Sequence, residues 1–349
     1  MKTTPVRFTV RLTLGLFSFA AASFCRADGP YHLVKEIAVG GEGGWDVMSV
    51  DPTAHRVYVS HATKIVVIDT TKDEVVGEIA DTPGVHSFDA APELGRGFSG
   101  NGKENKSSIV DLKTLQTIAK VDTGQNPDIV LYERGRREVY AFNGKDNSAT
   151  VFEAATGKAV TTIPLGGKPE YAQADPVAGR IYLNLEDKSE VIVIDTATHQ
   201  IVAHWPIAPG EEPTGLALDL AHHRLILGCG NEKMIIMDST NGHVVTTLDA
   251  GPGIDAASFD PGTALAFVSA GGSGTVTIAH EDTPDKFTIV QTLPTARGAR
   301  TMTLDPTTHK IYLASAQFEA PATPPAAGAP RSRPKMIPGT FKVLVYGLN

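Results

Sequence analysis

Ser49-Val50-Asp51-Pro52, Arg56-Val57-Tyr58-Val59-Ser60, Ile65-Val66-Val67-Ile68-Asp69 and Val75-Val76-Gly77-Glu78-Ile79 follow one another in one stretch, and the pattern recurs along the chain. With Asp51 as marker, the equivalent positions are Ala91, Glu133, Asp175, Asp219, Asp260 and Asp305, at steps of 40, 42, 42, 44, 41 and 45 residues. Each unit holds four short runs of β-branched and aromatic residues, separated by turns rich in Asp, Pro, Thr and Gly. A repeat of this length built only from strands is a propeller blade, and no single blade buries its apolar faces without neighbours. The sequence therefore predicts an all-β chain, a seven-bladed β-propeller with four-stranded antiparallel blades.

Both ends of the repeat array support ring closure. Leu33 to Val39 aligns with an outer strand, and Phe341 to Tyr346 aligns with a third strand. Pairing the two would complete the seventh blade with the N-terminal strand, a velcro closure that leaves no open sheet edge. Gln317 to Thr340 interrupts that last blade. It carries Pro321, Pro324, Pro325, Pro330, Pro334 and Pro338 with many Ala and Gly, a composition that suits a surface loop rather than a core.

Residues 1–27 read differently from residues 28–349. Lys2, Arg7 and Arg11 precede an apolar run from Leu12 to Phe24, and Cys25-Arg26-Ala27 resembles a cleavage site, so a signal peptide and a periplasmic or secreted location are expected. The run is short for a membrane span. Loss of the four basic residues of this segment (Lys2, Arg7, Arg11, Arg26) takes 31 basic residues to 27 against 39 acidic ones, a net charge of −12. Such a surface disfavours general nucleic-acid binding. Only Cys229 then remains, flanked by Gly228 and Gly230, which excludes an intrachain disulfide and suits a small buried residue.

Candidate chemistry sits five residues before each marker. Asp46, His86, Asp128, Glu170, Thr214, Asp255 and Arg300 begin the seven inner strands, and ring symmetry would gather them at one mouth of the central channel. Positions further along are mostly apolar, as at Met48, Phe88, Val130, Leu216 and Met302, with Asp89 and Gln173 as polar exceptions expected in the channel. Oxygen donors with one imidazole suit a divalent cation such as Ca²⁺ or Mg²⁺, held by Asp46, Asp128, Glu170 and Asp255. Loops after the second strands offer a second layer on the same face from His61, Asn101, Lys103, Asn143, Asp146, Asn184, Asp187, Asn231 and Glu232, although the Asn residues are equally well explained as hairpin-turn residues. Tyr171 is expected to pack between blades, with stacking on a planar ligand as the alternative. Asp69, Asp111, Asp195 and Asp238 recur at one turn and read as turn caps, while His55, His222, His223 and His309 read as solvated turn residues of the opposite face.

The strand-end sequences Tyr58-Val59-Ser60-His61, Phe98-Ser99-Gly100-Asn101, Tyr140-Ala141-Phe142-Asn143 and Tyr182-Leu183-Asn184, each before a Val/Ile strand ending in Asp, resemble the YVTN or YncE-like β-propeller family. Gly124-Gln125-Asn126-Pro127 and Gly166-Gly167-Lys168-Pro169 fit its approaches to the inner strand. The resemblance covers nearly all of residues 33–349 outside the Pro-rich stretch, and no blade carries the full tetrapeptide. It implies an exported and mostly non-enzymatic protein. The expected role is a monomeric binding or scaffold protein presenting the polar funnel to a small ligand, a metal or a periplasmic protein partner. The alternatives are a metal-assisted lactone hydrolase or lyase with His86 as the proton carrier, and a propeller that binds single-stranded DNA or a haem-type cofactor.

Overall fold

The turn chemistry of the first repeat accounts for its fold. Asp51 Oδ1 accepts hydrogen bonds from the backbone N–H groups of Thr53 and Ala54 (both 3.0 Å) and so closes the first hairpin. Asp69 does the same for Thr71 (2.9 Å) and Lys72 (3.1 Å). Between these turns run the strands Trp45–Asp51, Arg56–His61, Lys64–Asp69 and Glu74–Ile79, paired in that order. The Asp69 equivalents Asp111 and Asp195 hold their turns by the same pair of bonds, and Asp238 by the first of them, as expected. Backbone donors from Thr198 are the main reason that the Asp195 carboxyl is lowered to about 2.

The chain forms a computed structural model that describes Met1 and residues 29–319 and 335–348. Residues 2–28, which hold nearly all of the expected signal peptide, and residues 320–334 of the Pro-rich stretch lie outside the described residues. Seven four-stranded antiparallel sheets form the ring, and helix among the described residues is confined to two single turns, Pro92–Leu94 and Glu186–Lys188. This is a seven-bladed all-β propeller. No helix among the described residues is long and apolar enough to cross a membrane.

The core is seven interfaces rather than one centre. One apolar cluster fills each gap between neighbouring blades, as where Tyr58, Ile65, Val67 and Ile79 of blade 1 meet Val85, Phe88 and Val110 of blade 2. Blade 7 closes the ring with a sheet order of Tyr31–Ala38, Lys342–Leu348, Lys310–Ser315 and Met302–Asp305. The N-terminal strand is therefore the outer strand of the last blade, as the end-strand alignment predicts. Tyr31 fastens it: the ring is 2% exposed, meets Phe267 edge-on at 5.2 Å, and its hydroxyl donates to the His309 carbonyl at 2.6 Å.

Tyr31→Ala is expected to lower stability by about 3–5 kcal/mol, the usual cost of truncating a buried aromatic ring, whereas Tyr31→Phe loses one hydrogen bond worth about 1 kcal/mol. Urea unfolding of the two variants measures both. Equal losses would show that the ring does not carry the closure.

Candidate functional site

A bulge at the start of each inner strand builds the site. Pairing with the second strand slips between Trp45 and Met48, Val85 and Ser87, Pro127 and Ile129, Pro169 and Ala172, Pro213 and Gly215, and Ile254 and Ala256. The skipped residues include Asp46, His86, Asp128, Glu170, Thr214 and Asp255. A bulge frees one residue from the ladder and re-aims its side chain. In blade 7 the strand begins only at Met302, so Arg300 stands just before it.

Three of the seven make direct contact. His86 Nδ1 lies 2.7 Å from Asp46 Oδ2 and 3.5 Å from Asp128 Oδ1, and its Nε2 lies 3.2 Å from Asn126 Oδ1. One ligand atom from each of Asp46, His86 and Asp128 falls within 4.8 Å of the others. Glu170 pairs with Lys168 at 2.8 Å, and Lys168 also binds Glu186. Arg300 Nε reaches Asp255 Oδ2 at 3.4 Å. Charges of these pairs act on one another around the mouth: Asp46 is felt at Asp128, Asp255 and Arg300, and Asp128 at Glu170. Thr214 stands apart, with its hydroxyl 3.4 Å from the carbonyls of Gly228 and Ile254, between blades 5 and 6.

The electrostatics follow from crowding. Burial lifts the Asp128 carboxyl to about 6, with Asp46 adding to the shift and His86 opposing it. Burial and then Asp128 carry Glu170 to about 8 against the pull of Lys168. Burial also takes Asp255 to about 6, although Arg300 opposes it. At His86 burial favours the neutral ring, but the Asp46 hydrogen bond and the Asp128 charge together outweigh it and raise the imidazole to about 9. At neutral pH His86 is thus an imidazolium clamped between two carboxylates.

Blades 1 and 4 skip two residues at the bulge, and the second of each, Val47 and Tyr171, makes the floor. Val47, from blade 1, packs in the cluster of blades 3 and 4. Tyr171 packs against that cluster, against the one between blades 4 and 5 and against the one between blades 6 and 7. Contacts to such distant blades require both side chains to cross the axis, so Tyr171 is not confined between neighbouring blades as its sequence position predicts. Its buried hydroxyl has no hydrogen-bond partner and sits in the field of Asp255, Asp46, Glu170 and Arg300. Below this floor the channel is a cavity of ≈ 480 Å³ that includes Asp89 and Gln173 and reaches Arg134 and Pro176. Asp89 is occupied by the backbone N–H groups of Ala90 and Tyr132, and Gln173 donates to the Leu216 carbonyl.

Beside the mouth, Trp45, Arg300 and the two feet of the Pro-rich stretch frame a cleft of ≈ 740 Å³. The feet are joined by a bridge between Phe318 and Met336. Trp45 stacks on Phe341 at 5.1 Å and meets Phe318 at 6.0 Å.

Several expectations are corrected. Asn101, Asn143 and Asn184 do not form a second ligand layer; they are buried and bond to Ser108, to Thr150 and to the carbonyls of Thr214 and Gly215. His61 is buried and stacks on Phe341 at 4.3 Å. Asp146, Asp187 and Asn231 hold loop N–H groups at Gln125, Lys168 and Glu211. On the opposite face His309 and His222 are not simply solvated: His309 Nδ1 lies 2.7 Å from buried Asp260, and His222 meets Asp219 and Glu281. Sequence reasoning missed Asn126, Lys168 and Glu186. Asn126 and Lys168 stand two residues before the ring position, where blades 1, 2, 6 and 7 have Gly44, Gly84, Gly253 and Gly298. Side chains among glycines at one repeat position were the available signal.

No protein-family model and no curated protein matches the chain. Among solved structures, a chain of the "Crystal Structure of Mitotic Checkpoint Complex" aligns with TM-score 0.70 and 12% identity over 90% of this chain and 96% of that one. At that identity the likeness shows the propeller fold alone.

The four raised groups set a pH dependence. Each has a folded pKa above its unfolded value, so the folded state holds more protons and stability falls as pH rises from about 4 through the values near 6, 8 and 9. The His86 contribution is complete below about 6.5 and is lost as pH passes about 9. Urea midpoints from pH 5 to pH 9 should decline, and Glu170→Gln should flatten the decline between pH 6 and 8. A midpoint that climbs over this range would contradict the crowded ring.

Proposed function

We propose that this protein is an exported, non-enzymatic binding protein of the YVTN type, which takes a small ligand at the funnel through a cationic centre, most simply a divalent cation. The reading rests on one observation: Asp46, His86 and Asp128 each bring a ligand atom within 4.8 Å of the other two. Raised carboxyl groups around this trio are what a cation would relieve. Oxygen donors with a single imidazole accept Ca²⁺, Mg²⁺ or Mn²⁺. The adjoining cleft gives room for an organic body against Trp45 and Phe318, with Arg300 shared between cleft and ring. The export part of the proposal rests on the basic and apolar pattern of residues 1–27.

Uptake of a cation at His86 Nδ1 displaces a proton, so affinity should rise with pH, up to about tenfold per unit below about 9. Saturating Ca²⁺, Mg²⁺ or Mn²⁺ at about 100 times Kd should raise Tm by about 5 °C. Asp46→Asn with Asp128→Asn should remove that rise while the fold persists. An unchanged Tm with all three cations at pH 8 would reject the cation centre.

The hydrolase reading draws on a different observation, the Tyr171 hydroxyl, which has no hydrogen-bond partner among the described residues and stands in the field of Asp255 and Asp46. Against it, an imidazolium at neutral pH cannot act as a general base until a cation or alkaline pH removes its proton. Turnover of lactones that vanishes in His86→Ala and in Tyr171→Phe would favour the enzyme over the binding protein.

A further inference from the structure

Blade 6 departs from the other blades at its outer hairpin. Its third and fourth strands, Thr275–Thr283 and Lys286–Pro294, have 9 residues each, whereas the corresponding strands of blade 1 have 6. The extension carries Glu281 down to the end of blade 5. Arg224 of blade 5 fastens it there, donating to the Pro284 carbonyl at 2.8 Å and to Asp285 at 2.6 Å.

Glu281 is thereby pressed against a second carboxylate. Its side chain and that of Asp219 are each 2% exposed. Asp219 Oδ2 lies 2.8 Å, and Glu281 Oε1 3.0 Å, from the same atom, Nδ1 of His222. One ring nitrogen carries at most one hydrogen, and neither contact has hydrogen-bond geometry. Among the described residues, Asp219 Oδ2 and both oxygens of Glu281 have no well-directed hydrogen-bond donor. Arg224 directs its other donors to the carbonyls of His222 and His223, not to this pair. Two buried carboxylates facing each other are costly; the half-exposed His222 ring, which both of them draw toward its protonated form, offsets this in part, and a bound cation would offset it more.

We propose that Asp219, His222 and Glu281 bind a divalent transition-metal cation of the Zn²⁺ class, which clasps blade 5 to the extended hairpin of blade 6. The three ligand atoms lie within 4.8 Å of one another. Metal–ligand bonds of about 2.0–2.2 Å place neighbouring ligand atoms roughly 3.4 Å apart, so a small opening of the present 2.8 and 3.0 Å contacts admits the ion. Three close donors, two carboxylates and an imidazole, suit four-coordinate Zn²⁺ or Co²⁺, whereas Ca²⁺ needs more oxygens, such as the Asn126 Oδ1 that stands beside the funnel trio. His222 is about half exposed, which leaves a route from solvent and an open coordination position. The site lies at the far end of the inner strand from the funnel: Asp219 is five residues, roughly 16 Å of extended chain, beyond Thr214.

The test uses the full chain stripped of metal and titrated calorimetrically with Zn²⁺ alone, with Co²⁺ as a spectroscopic probe. Wild type should take up Zn²⁺ at this site. Glu281→Gln should weaken it at least tenfold, His222→Ala should abolish it, and Asp46→Asn with Asp128→Asn should leave it intact, which separates this site from the funnel. Diffraction at the zinc absorption edge should place the ion between the three side chains in wild type, whatever the variants do to folding. No zinc peak there, or equal Zn²⁺ uptake by wild type, Glu281→Gln and His222→Ala, would overturn the proposal. A gain in Tm for Glu281→Gln with unchanged Zn²⁺ uptake would overturn it in favour of a proton shared by the two carboxyl groups.

Discussion

Burial of apolar sheet faces against neighbouring sheets, closed into a circle, is the constraint on which everything else depends. Each blade has two apolar faces and buries both only when blades stand on either side. Seven apolar clusters meet that demand at seven gaps. Closure then has no slack, because the seventh blade borrows its outer strand from the other end of the chain. Tyr31 bonded to the His309 carbonyl is where that dependence is most concentrated.

Closure also makes the chemistry. Residues some forty positions apart become neighbours because each occupies the same place in its blade. Bulges at the strand starts release those side chains from pairing and direct them toward the mouth. The price is electrostatic: carboxyl groups collected from different blades crowd one another, and their protons are held to unusually high pH. His86 is the counterpart, a ring kept charged by the two acids that flank it.

The fold was legible because it is written seven times, so errors in one blade are corrected by the others. The ring residues shared that advantage: Asp46, His86 and Asp128 were found by offset alone, and they do meet. Features that belong to one blade were not legible. Tyr171 packs against clusters of distant blades, and at its repeat position only blade 4 carries so large a side chain, a singular feature that a repeat pattern does not flag. Glu281 meets His222 because a single hairpin is longer than its equivalents. Asn101, Asn143 and Asn184 misled because a buried amide that fastens strands and an exposed one that greets a ligand have the same spelling.

Val47 and Tyr171 lay apolar surface across the hub, between the charged mouth and the cavity beneath it. The two sides of the disc therefore differ in character at their centre, so an occupant of one need share no recognition chemistry with an occupant of the other.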